Sequence, residues 1–80
     1  MNTLVKKQFL PGDFIYYFDI VEGEVLLLRD KIVEKTFSLK ENSQVIEVFY
    51  GLKNGHRLLE TRVYESPEEA LIDYFKKLGK

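Results

Sequence analysis

Residues 45–80 read VIEVFYGLKNGHRLLETRVYESPEEALIDYFKKLGK, and this stretch decides the fold. Asn54-Gly55 lies between two strand-like runs, Val45–Leu52 and Arg57–Tyr64. Asn-Gly is a strong hairpin signal, because a type I′ turn needs positive φ at both central residues. With a two-residue loop, Tyr50 pairs with Leu59, Val48 with Thr61 and Ile46 with Val63 on one face. The other face pairs Phe49 with Glu60, Glu47 with Arg62 and Val45 with Tyr64. One face is then aliphatic and the other carries a cross-strand ion pair. Gly51, inside the first run, reads as a bulge in preference to a point where another chain approaches closely.

Ser66-Pro67-Glu68-Glu69 follows the hairpin. A serine cap, a proline at the first helical position and a glutamate three residues past the cap form a capping box. The helix runs over Pro67–Leu78 and places Leu71, Tyr74, Phe75 and Leu78 on one face. Glu68, Glu69 and Asp73 favour its positive start, Lys76 and Lys77 its negative end. Gly79 reads as a left-handed stop. The apolar face is expected to lie across the aliphatic face of the sheet.

Upstream, Thr3–Leu10 alternates as a strand and Pro11-Gly12-Asp13 breaks it as a turn. Phe14–Val21 is almost wholly apolar, and Glu22-Gly23 turns it into Glu24–Arg29. That register sets Ile20 against Val25, Phe18 against Leu27 and Tyr17 against Leu28. With apolar residues on both faces, the pair reads as the centre of the sheet. Lys31–Leu39 is a further strand, in which Lys35 marks an edge or a bulge. Lys40–Gln44 reads as a loop. The fold class is α+β: an antiparallel meander of four to five strands with one C-terminal helix packed on one face, in one domain over residues 1–80.

Eighty residues with 45% apolar content lie near the lower size limit for unaided folding. Six Phe and five Tyr supply most of the core volume. The absence of cysteine rules out disulfides and cysteine-based zinc sites. The two lysines of the N-terminus follow a short apolar pair, which is not a signal-peptide pattern, and no apolar run is long enough to span a bilayer. A cytoplasmic protein is expected. Twelve basic and thirteen acidic residues give a net charge of −1, which argues against a globally basic nucleic-acid binder.

No catalytic constellation emerges. His56 is the single histidine, beside the turn and with no acidic neighbour in sequence, and reads as an exposed loop residue. The glycines never approach a phosphate-binding spacing. Glu22 and Glu24 flank a turn in water, and no serine sits in a nucleophile elbow. The chain is therefore expected to be no enzyme and to use no cofactor, metal or small-molecule ligand.

What remains is the sheet face away from the helix. It is expected to carry Val45, Glu47, Phe49, Leu58, Glu60, Arg62 and Tyr64, continued by Tyr17, Leu26 and Leu28, or by Tyr16 and Phe18 if the first hairpin faces the other way. Apolar residues rimmed by charge suit a protein partner or a second copy of the chain. The expected function is a small protein-binding module that regulates or inhibits a larger partner. The size of the chain and its initiating Met fit an accessory protein of a phage or mobile element that blocks a host enzyme. The alternative is single-stranded nucleic acid stacked on Tyr and Phe, with Lys53, Arg57 and Arg62 supplying positive charge.

Overall fold

A computed structural model describes residues 8–39 and 46–79. Among these, four strands run β1 (Phe14–Val21), β2 (Glu24–Leu39), β3 (Ile46–Leu52) and β4 (Arg57–Leu59), followed by a 3-10 turn at Glu60–Arg62 and helix α1 (Pro67–Leu78). All pairings are antiparallel in the order β1-β2-β3-β4, so the α+β meander with a C-terminal helix stands. Of the first expected strand, residues 3–7 lie outside the described residues. Gln8–Leu10 is irregular rather than strand, and Phe9 is buried in the core. The expected loop Lys40–Gln44 also falls outside them.

The β1–β2 hairpin forms as its turn residues dictate. Glu22 and Gly23 have φ of 52° and 82°, the positive pair that a type I′ turn requires. The ladder sets Tyr17 opposite Leu28, Phe18 opposite Leu27 and Ile20 opposite Val25, as expected. The two runs expected as separate strands are one 16-residue strand. Its Glu24–Lys31 half pairs with β1 and its Ile32–Leu39 half with β3, so the strand bends between two partners. The bend is a bulge. Ile32 opposes Leu52 and Glu34 opposes Gly51, which leaves Val33 as the extra residue. Gly51 is therefore not itself bulged. Instead the bulge on the facing strand brings Glu34 close to it, and a methyl group at Gly51 would meet the Cβ of Glu34 at 3.3 Å.

The β3–β4 register departs from expectation by one residue. Phe49 pairs with Leu59, Tyr50 with Leu58 and Gly51 with Arg57. The loop is three residues long: Gly55 N–H donates to Leu52 O at 2.9 Å and Leu52 N–H donates to His56 O at 2.8 Å. Gly55 takes φ of 98° while Asn54 does not enter the positive region. This is a type I turn closed by a left-handed glycine, the other loop that Asn-Gly supports. A slip of one residue reverses the facing of every β4 side chain. Leu58 turns inward and packs against the core, where Leu59 was expected. Beyond Leu59 the chain leaves the ladder. Glu47 lies opposite Ser38, and the expected Glu47–Arg62 cross-strand pair does not form in the sheet.

The sheet curls rather than staying open. After the 3-10 turn, Tyr64 returns to β1 and exchanges both backbone hydrogen bonds with Tyr16, at 2.8 and 2.9 Å. Thus β1 is an edge strand held by one bridge, not the centre of the sheet. The curl fills its own interior with Phe9, Ile15, Tyr17, Ile32, Val48, Tyr50, Leu52 and Val63. The buried phenols are satisfied: Tyr50 Oη accepts from Phe9 N–H at 3.1 Å, and Tyr17 Oη accepts from Asn54 Nδ2 at 2.7 Å.

The self-filled interior displaces the helix from its expected seat. Ser66 Oγ accepts from Glu69 N–H at 3.2 Å, while Glu69 Oε1 accepts from Glu65 N–H at 3.4 Å, one residue earlier than in a standard capping box. Gly79 closes the helix with its N–H on Phe75 O at 3.0 Å and a φ of −77°, so it is not a left-handed stop. Helix α1 lies along β1, with Ala70 fully buried and the Tyr74 ring on Phe18. Leu71, Phe75 and Leu78, expected to form the core-facing stripe, are instead 41%, 62% and 63% exposed.

Candidate partner-binding surface

Two shallow, adjoining grooves run between α1 and the outer face of the β1–β2 hairpin. Phe18, Arg62 and Tyr74 line both; Tyr64, Asp73 and Lys77 extend one, and Asp19, Ile20 and Val25 the other. The hairpin register explains the apolar wall, because Phe18, Ile20, Val25 and Leu27 must share one face. Ile20 is 71% exposed, the largest fraction among the big apolar side chains of the described residues. Helical spacing explains the other wall: Ala70, Asp73, Tyr74 and Lys77 lie three or four residues apart and turn toward β1.

The floor is aromatic. Tyr64 meets Phe18 edge to face with ring centres 6.1 Å apart, Phe18 meets Tyr74 at 5.1 Å, and Tyr74 meets Phe75 at 5.7 Å. The rings lead from the buried Tyr64 to the exposed Phe75. Polar groups sit along one side. The Tyr64 hydroxyl donates to Asp73 Oδ2, which also pairs with Lys77 Nζ at 3.2 Å. Burial, followed by the hydrogen bond to Asp73 and its negative charge, pushes the Tyr64 phenol up to about 12. Tyr64 is a neutral donor at physiological pH, and the exposed Arg62 and Lys77 contribute positive charge to the groove.

The seven residues singled out from sequence do not form one surface. Val45 is outside the described residues. Glu47 and Phe49 lie on the outer face of β3, where the Arg57 guanidinium sits 4.6 Å over the Phe49 ring. Leu58 points inward. Glu60 accepts from Gln8 Nε2 at 2.9 Å, and Gln8 Oε1 accepts from Lys35 Nζ at 3.0 Å. Arg62 and Tyr64 do come together, but beside α1 rather than on the expected face. Phe18 had been placed with this surface only under the reversed facing of the hairpin. Ile20, Val25 and Tyr74 were missed, although the hairpin pairing already put Phe18, Ile20 and Val25 side by side.

His56 has an acidic neighbour in space, Asp19, with Nδ1 4.0 Å from Oδ2, and its ring lies 6.0 Å from that of Tyr17. Among the described residues, no three metal-ligating side chains cluster. No helix among them is long and apolar enough to cross a membrane. Set against family models, curated proteins and solved structures, the chain matches none.

Proposed function

We propose that this protein is a non-enzymatic binding module that regulates or inhibits a larger protein partner, acting in the cytoplasm. The observation that carries the reading is the groove between the β1–β2 hairpin and α1, where exposed Ile20 and Val25 flank an aromatic floor and one arginine. Apolar anchors with an arginine at their margin are the composition of protein-binding hot spots. Tyr64 and Asp73 stiffen the site through their hydrogen bond, which lowers the ordering cost of binding. An accessory role that blocks a host enzyme fits a surface of this kind.

The test is affinity capture from a host lysate with wild type and an Ile20→Glu variant, whose exposed position leaves the core intact. A partner retained by wild type and lost by the variant supports the reading. Identical recovery by both contradicts it. Single-stranded nucleic acid is the lesser reading. Two of the aromatic rings on the strands, Phe14 and Phe49, are already covered by Arg29 at 4.0 Å and Arg57 at 4.6 Å, which takes them away as stacking platforms for a base. Oligonucleotide binding at low salt that weakens with added salt would revive it.

A further inference from the structure

Asn54-Gly55 sets a side-chain carboxamide next to a backbone nitrogen that no side chain shields. Of Asn2, Asn42 and Asn54, only Asn54 precedes a glycine. Both loop residues are exposed, and the space around Gly55 is open. Burial therefore does not keep water from the pair. Hydrogen bonds hold it instead. Gly55 N–H donates to Leu52 O at 2.9 Å, and Asn54 Nδ2 donates to the buried Tyr17 hydroxyl at 2.7 Å. Asn54 Oδ1 accepts from His56 N–H at 2.8 Å, and Asn54 N–H donates to Asp30 Oδ2 at 3.0 Å.

We propose that Asn54 is a site of spontaneous deamidation, gated by opening of the β3–β4 loop and guarded by the Tyr17 hydroxyl. The step begins when hydroxide removes the Gly55 amide proton. The nitrogen attacks Asn54 Cγ, the new N–Cγ bond closes a succinimide ring, and the Cγ–Nδ2 bond breaks. Nδ2 takes a proton from water and leaves as ammonia. One water then adds to either ring carbonyl and gives aspartate or isoaspartate. No oxidant, reductant or second protein is needed.

The fold opposes the first two events. Proton loss from Gly55 is the same event that begins amide hydrogen exchange, and an amide bonded to a carbonyl is protected until that bond opens. Leu52 O holds this proton. Ring closure also swings the Asn54 carboxamide, which breaks its bonds to Tyr17 and His56. The product recovers only part of the clamp. A carboxylate has no N–H to give the Tyr17 hydroxyl and brings a second negative charge beside Asp30. Isoaspartate also lengthens the main chain by one methylene, which misplaces Gly55 against Leu52. An opening that ends in cyclisation thus leaves a lasting mark on the loop that ties the two hairpins.

The test compares the folded full-length chain at neutral pH with the same chain in urea, and peptide mapping reads aspartate and isoaspartate at position 54. Conversion should be at least about tenfold slower in the folded chain, since it follows the open fraction of the loop. Tyr17→Phe removes the acceptor of the Asn54 amide and should speed conversion in the folded chain about fivefold. Asp30→Ala, which frees the Asn54 N–H, should act in the same direction. Ala70→Gly weakens the contact of α1 with β1 without touching the loop and should leave the rate near that of wild type. Amide exchange at Gly55, read by NMR, should rise in the same order across the variants, and circular dichroism confirms that each is folded. Equal conversion with and without urea, no effect of Tyr17→Phe and Asp30→Ala, or equal acceleration by Ala70→Gly would overturn the inference.

Discussion

The amide of Asn54, at the tip of the β3–β4 loop, donates to the hydroxyl of the fully buried Tyr17 on β1 at 2.7 Å. The same residue gives its backbone N–H to Asp30 Oδ2 at 3.0 Å and accepts from His56 N–H through Oδ1 at 2.8 Å. Asn54 therefore ties the loop of one hairpin to the strands of the other, where β2 passes from one partner to the next. Asn54→Ala should cost about 1–3 kcal/mol, since it strands the Tyr17 phenol in the interior. Asn54→Asp should also destabilise, because it deletes the donor and sets a second carboxylate beside Asp30. Urea titration of the three proteins checks this; equal midpoints would show that the bridge contributes nothing.

The two tight turns respond oppositely to substitution. Glu22 has a φ of 52°, a strained choice for a glutamate, so Glu22→Asn should stabilise by about 0.5 kcal/mol. Gly55 has a φ of 98° with open space around it, so Gly55→Ala should cost about 1 kcal/mol through the backbone alone. Thermal melts read both signs.

Ala70 and Phe75 separate the two possible seats of the helix. Ala70 is completely buried, and Ala70→Asp should destabilise by several kcal/mol. Leu71→Asp and Phe75→Asp, on the exposed side, should each change monomer stability by less than about 1 kcal/mol. Denaturation at low micromolar concentration gives the comparison. Large losses for Leu71→Asp and Phe75→Asp would return the helix to the seat its amphipathic pattern suggests.

Tyr64 makes stability fall in alkali. Its phenol is raised from 10.0 to about 12 in the fold, so the folded state holds the proton more tightly than the unfolded chain. The stabilisation is complete below pH 10 and is lost as pH climbs through about 12, a change on the order of 2–3 kcal/mol. Burial raises the Tyr50 phenol also, and adds in the same direction. Tyr64→Phe should shrink the slope of unfolding free energy against pH between 10 and 12 and leave the Tyr50 part. A slope identical to wild type would show that Tyr64 does not carry the effect.

Local chemistry was legible in the sequence, and long-range competition was not. The Glu22-Gly23 turn, the Tyr17–Leu28 register and the Pro67–Leu78 bounds each follow from residues within one element. The β3–β4 slip arose because Asn-Gly fits two loops. Asp30 and Tyr17, both far away in sequence, hold Asn54 in the one observed. The helix face was misread for a related reason. Amphipathic spacing shows that a stripe exists, not whether the sheet will need it, and this sheet curls and fills its interior with its own Tyr17, Tyr50 and Ile32. Of the site, Phe18, Ile20 and Val25 could be grouped from the hairpin pairing. Their meeting with Arg62 and Tyr74 depends on the Tyr16–Tyr64 bridge, which no local pattern announces.

Photo-crosslinking at position 20 tests the proposed function most directly. A benzoylphenylalanine placed at Ile20, on the groove wall, is compared with one at Thr36, on the far half of β2. The account predicts a discrete adduct with one larger host protein from position 20, none from position 36, and competition by unlabelled wild type. Matching adduct patterns at both positions, or no adduct at position 20 with the protein folded, would contradict it.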